Sequence, residues 1–116
     1  MRRVSDRKTF EALRTRANKA RFGPVSVAFH RADADGRSEV RVAYAVGTRV
    51  GRAVQRNRLR RRLRAAVGDL KGLEQGAYLV SAGREAAGMR YGELKGALGH
   101  AMAQASERSE ADAHEQ

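Results

Sequence analysis

The sequence predicts a small α+β domain, and three observations predict it. Two stretches, 25–30 and 39–46, alternate apolar and polar residues with the period of two that marks a half-buried strand. From Ala53 to Val67 there is no glycine or proline, and Leu59, Leu63, Ala66 and Val67 recur at helical spacing. A third short apolar stretch, 77–82, is followed by a second helical pattern. The resulting order is helix, strands, basic helix, strand, helix. A chain of 116 residues has room for one such domain.

Arg2 and Arg3 open a basic N-terminus. Ser5 or Asp6 is placed to cap a helix over 7–17, with Phe10, Leu13 and Ala17 on one face. Gly23-Pro24 breaks the chain before the first strand, 25–30, which puts Val25, Val27 and Phe29 on one face. Asp35-Gly36 is a good hairpin centre, so 39–46 is expected to pair antiparallel with 25–30. In that second strand Val40, Val42, Tyr44 and Val46 share a face, and Arg41, Ala43 and Ala45 share the other. The basic helix follows, with Gly68 as its expected C-cap. The stretch 77–82 is apolar enough to be a central strand. A last helix begins near Met89 or Arg90 and aligns Tyr91, Leu94, Leu98 and Met102. The domain is expected over 1–105, and 106–116 reads as an acidic disordered tail. Three strands are visible in this pattern, and a fourth has no obvious place.

The chain carries 24 Lys plus Arg against 13 Asp plus Glu, a formal charge of +11. No acidic residue falls between Glu39 and Asp69, an interval that holds nine arginines. Such a density calls for a polyanion. Guanidinium forks match phosphate oxygens and stay charged at any working pH. There is no cysteine, so disulfides and thiolate metal sites are excluded. There is no apolar run of membrane-span length and no signal-peptide core after Met1, so a cytoplasmic protein is expected.

The run Arg49-Val50-Gly51-Arg52-Ala53-Val54-Gln55-Arg56-Asn57-Arg58-Leu59-Arg60-Arg61-Arg62-Leu63-Arg64 resembles the signature of the protein subunit of bacterial ribonuclease P. Its Arg-Asn-Arg core is Arg56, Asn57 and Arg58. The resemblance implies a four-stranded sheet like the second domain of a small-subunit ribosomal protein, with a left-handed βαβ crossover. It also implies an accessory role beside a catalytic RNA. The partners would be ribonuclease P RNA and precursor tRNA, with no protein oligomer required. The holoenzyme would remove the 5′ leader of precursor tRNA endonucleolytically, using Mg2+ bound mainly by the RNA. The protein would aid metal-ion binding and broaden the substrate range.

By that resemblance Arg49, Arg52, Arg56, Asn57, Arg58, Arg60, Arg61 and Arg64 bind RNA, and the Asn57 amide could reach a metal-bound water. Thr48 stands where the family often has Lys, and Arg62 where it is often apolar, so Arg62 is expected to be simply exposed. A cleft between the first helix and the sheet would hold the single-stranded leader. Phe10, Arg14 and Phe29 are its expected members. Phe10 matches the family's helical aromatic, and Arg14 replaces a second aromatic one turn later. Base stacking contributes roughly 1–3 kcal/mol per base, and a guanidinium plane can also stack.

No catalytic constellation accompanies these features. His30, His100 and His114 are scattered, and neither a paired-carboxylate metal motif nor a phosphate-cradling Gly-Lys-Ser/Thr loop is present. An autonomous nuclease is therefore disfavoured. A DNA-binding regulator would need a helix-turn-helix partner upstream of the basic helix, where the chain reads as a strand plus glycines. A structural or ribosomal RNA-binding protein is the alternative that shares the same charge.

Overall fold

The computed structural model describes residues 2–4, 7–15, 17–31 and 39–114. Five strands and three helices alternate along it: β1 (Arg2–Arg3), α1 (Arg7–Thr15), β2 (Asn18–Phe22), β3 (Val25–His30), β4 (Val40–Val46), α2 (Ala53–Asp69), β5 (Gly76–Ala82) and α3 (Tyr91–His114). Short 3-10 turns at Thr48–Val50 and Arg84–Gly88 precede α2 and α3. The fold is the expected α+β domain. Its four-stranded mixed sheet runs β4-β5-β3-β2, and the two-residue β1 extends the β4 edge.

β5 is central, as its apolar composition requires. It pairs parallel with β4 and antiparallel with β3. The expected direct pairing of 25–30 with 39–46 is therefore wrong: β5 lies between them. Its residues Ala77, Tyr78 and Val80 are fully buried, so the strand with the least tolerance for water takes the middle. The Asp35-Gly36 turn and the Ser5 or Asp6 cap lie outside the described residues.

The strand the sequence did not reveal is β2. It forms a hairpin with β3 in which Phe22 faces Val25 across Gly23-Pro24. Gly23 takes the positive φ of +60° that the tight loop demands, and Pro24 supplies a fixed negative one. Lys19 and Arg21 on an edge strand discourage pairing with another chain. α1 accordingly ends at Thr15, two residues short of the expected 17, so that the chain can turn into β2.

Two layers cover the sheet. On one face Val25, Val27, Phe29, Val42, Val46, Tyr78 and Val80 pack against Leu59, Leu63, Ala66 and Val67 of α2 and Leu94, Leu98 and Met102 of α3. On the other, Val4, Ala28, Ala43 and Ala77 meet Leu13 of α1 in a smaller cluster. Phe29 and Tyr78 stack at 4.7 Å between ring centroids, and the Tyr78 hydroxyl donates to the Glu74 carbonyl at 2.7 Å. Burial, assisted by nearby Glu74, raises the Tyr78 pKa well above the ordinary phenol value and keeps it a donor.

Two further helix ends differ from expectation. Gly68 lies inside α2, which runs on to Asp69 and is capped by Leu70 in extended backbone. α3 continues to His114, so the residues expected as a disordered tail are largely helical. Alanine, glutamate and glutamine are good helix formers, and extending an existing helix needs no new nucleus. Ser106 is only 5% exposed, and Arg108 donates to the Lys19 carbonyl, which ties this part of α3 to β2.

Candidate nucleic-acid interface

The chain leaves β4 at Val46 and reverses into α2 through Gly47, the Thr48–Val50 turn and Gly51. Gly51 has φ +146°, and a Cβ there would stand 2.0 Å from Gln55 Oε1. That oxygen accepts the Arg52 backbone N–H at 2.7 Å and satisfies one orphan donor of the helix start. The Gly51→Ala variant combines a strained φ with loss of this bond. It is expected to destabilise the fold by about 2 kcal/mol, measured by chemical denaturation.

The helix then sorts its arginines by where they sit. Arg56 Nη1 donates to the Gly51 carbonyl at 2.9 Å. Arg60 donates to Asn57 Oδ1 at 2.8 Å and to the Val46 carbonyl at 3.4 Å. Arg64 lies over the Tyr44 ring, 5.7 Å from its centroid. Burial raises the Tyr44 hydroxyl pKa, and the Arg64 charge partly opposes that rise. Arg62, expected to be exposed, is half-buried: it donates to the carbonyls of Ala87, at 3.2 Å, and Met89. It thereby clasps α2 to the turn before α3. Arg58 and Arg61 are exposed, and among the described residues neither has a hydrogen-bond or ion-pair partner. Arg49 and Arg52 are exposed at the approach to the helix.

Two hollows open beside α1. One, of about 450 Å³, wraps the β1 edge of the sheet and is lined by Arg3, Phe10, Ala43, Tyr44, Arg60 and Arg64. It joins the 38%-exposed Phe10 to the basic helix. The other, of about 390 Å³, lies over the sheet and is lined by Arg14, Lys19, Ser26, Ala28, Leu79 and Ser81. Phe10 and Arg14, one turn apart, thus face different hollows.

Phe29 is in neither hollow. It has no exposed surface and belongs to the α2/α3 side of the sheet, because strand alternation sends it opposite to Ala28. The expected leader cleft therefore loses Phe29. Sequence reasoning missed Tyr44, Arg3 and Lys19 as lining residues. Tyr44 carried a signal, since it is the only aromatic in its strand and sits one face away from Ala43. Lys19 carried none until β2 was known. Phe22 packs its ring on His100 at 4.7 Å, on the α3 side, away from both hollows.

Among the described residues no three His, Cys, Asp or Glu side chains gather into a metal-ligand set. The arrangement combines fixed cations, two open grooves and a half-exposed aromatic.

Known proteins resemble this chain in sequence or in fold. The ribonuclease P protein component of Lactiplantibacillus plantarum is 41% identical over 69 residues, 58% of this chain. The matched stretch spans 60% of that relative's length. The Staphylococcus aureus RNase P protein superposes with a TM-score of 0.75 at 19% identity, covering 90% of this chain and 95% of that one. The Thermotoga maritima RNase P protein gives 0.72 at 18% identity, covering 84% and 92%. These likenesses concern the fold. A family model described as Ribonuclease P matches residues 1–106, nearly the whole chain, and on that match the chain belongs to the ribonuclease P protein family.

Proposed function

We propose that this chain is the RNA-binding protein subunit of a ribonuclease P ribonucleoprotein. Its partner is ribonuclease P RNA, and together they hydrolyse the phosphodiester bond that frees the mature 5′ end of precursor tRNA. The observation that carries this reading is α2, an arginine-rich helix packed on a sheet by one narrow apolar stripe. Family membership supports the assignment of its partner.

The chemistry of cleavage rests with the RNA, and this chain's part is binding. The arginines of α2 that face outward neutralise phosphates and release counterions, so affinity falls steeply with salt. The groove beside Phe10 takes the single-stranded 5′ leader. A base stacks on the open Phe10 ring while Arg60 and Arg64 reach the adjoining phosphates. Arg14 and Lys19 continue the basic track over the sheet. Among the described residues no three acidic, His or Cys side chains gather to hold a metal, and the Asn57 amide oxygen accepts from Arg60. We assign the Mg2+ of the holoenzyme mainly to the RNA. Among the described residues no helix is long and apolar enough to cross a membrane. We place the chain in the cytoplasm with its RNA, and the reading requires no protein oligomer.

Reconstitution at low magnesium tests the reading. Purified protein is mixed with a bacterial ribonuclease P RNA, and leader removal from precursor tRNA is followed. Stimulated cleavage that needs the RNA is expected. Cleavage by the protein alone would make it a nuclease in its own right. Absence of stimulation with tight binding to ribosomal RNA would favour the structural RNA-binding alternative. Arg60→Ala combined with Arg64→Ala is expected to raise the KM for precursor tRNA about tenfold while leaving affinity for leaderless tRNA unchanged.

A further inference from the structure

α2 presents a crest that the arginine count conceals. Val54, Arg58, Arg61 and Ala65 follow one another at spacings of four, three and four residues, so they form one ridge along the helix. All four are exposed. The buried stripe, Leu59, Leu63, Ala66 and Val67, lies on the opposite side. Arg56, Arg60, Arg62 and Arg64 lie off this ridge, and each makes at least one contact within the protein. The crest holds the two arginines of the helix interior with no partner among the described residues.

Val54 is the anomaly on this crest. At 76% exposed it is the most open of the exposed large hydrophobics among the described residues, and it packs against neither core cluster. A β-branched residue in an exposed first turn gains nothing for the helix, because its χ1 freedom is lost without burial. Its surroundings select the occupant. Exposed Arg49, Arg52 and Arg58 lie near it in the chain, and no acidic residue occurs between Glu39 and Asp69. An apolar protein partner would be poorly matched to such a field, whereas RNA offers apolar ribose and base faces framed by phosphates.

We propose that Val54 is an RNA-contact residue, which seats against a ribose or base face of the catalytic RNA while Arg58 and Arg61 hold the phosphates beside it. The crest from Val54 to Ala65 is about 16 Å long, and its short side chains at both ends let the helix backbone approach a wide, shallow RNA groove. Val54 thereby sets the register of the helix on RNA, a task that mobile arginines perform poorly alone. This inference rests on the proposed ribonuclease P reading.

Binding of the full chain to a bacterial ribonuclease P RNA transcript, measured across a salt series, tests it. Val54→Ser is expected to weaken binding about tenfold, with the slope of log affinity against log salt unchanged. Arg58→Ala and Arg61→Ala are each expected to lower that slope by about one. Val54→Ile should restore the affinity, and the thermal midpoint of Val54→Ser should match that of the parent. Unchanged affinity in Val54→Ser, or a loss accompanied by a lowered midpoint, overturns the role of Val54. Failure of the parent protein to bind the transcript at all overturns both this inference and the reading it rests on.

Discussion

Gly76→Ala is expected to lower the stability of this domain by about 3 kcal/mol or more, more than a surface substitution away from such a constraint would. Gly76 opens the central strand β5 at φ +144°, where a Cβ is strained whatever surrounds it. Space is also lacking. The added Cβ would stand 2.7 Å from Phe29 Cε1, 2.8 Å from Phe29 Cζ and 3.0 Å from the His30 carbonyl oxygen. Phe29 cannot swing aside, because it has no exposed surface and stacks on Tyr78. The Gly76 N–H also donates to the Glu39 carbonyl at 3.1 Å, which fixes where β4 begins beside β5. Overpacking and backbone strain therefore add at one site. Thermal denaturation should show a midpoint lowered by roughly 10 °C. Gly72→Ala separates the two causes. Gly72 has φ +73° with nothing within 4 Å of its Cβ position, so only the strain remains, about 1 kcal/mol.

That constraint also explains part of what the sequence could convey. The alternation of 25–30 correctly predicts that Phe29 shares a face with Val25 and Val27. It cannot say which helix covers that face, because both faces of the sheet are covered. Assigning Phe29 to the α2/α3 side requires the long-range order of the strands, which β5 decides by inserting between β3 and β4. Edge strand β2 was hidden for another reason. Asn18, Lys19 and Arg21 have the composition of a helix exit, and their strand character comes from pairing with β3 rather than from intrinsic preference. The basic helix was legible almost residue by residue, since its apolar stripe is periodic and uninterrupted. Its end was not, because Gly68 can serve equally as a C-cap or as a tolerated interior residue.

The sharpest limit of the sequence concerns the arginines themselves, and Arg62→Ala exposes it. Counted as charges, Arg61 and Arg62 are neighbours of equal standing. In the fold they are not. Arg62 reaches across to the carbonyls of Ala87 and Met89, groups left over as the 3-10 turn hands the chain to α3. Its removal leaves both acceptors without their charged donor, with an expected loss of about 2 kcal/mol of stability. The same clasp adds to the apolar packing that holds α2 beside α3. At temperatures well below the lowered midpoint, the salt dependence of RNA binding by Arg62→Ala should equal that of the parent, because its guanidinium is held on the Ala87 and Met89 carbonyls rather than extended toward a phosphate. Arg61→Ala should do the reverse, keeping the midpoint and losing about one unit of salt slope. Equal effects of the two substitutions on both measurements would mean that the helix acts as an undifferentiated cationic rod. Opposite effects would mean that the fold divides one run of like residues into those that build the surface and those that use it.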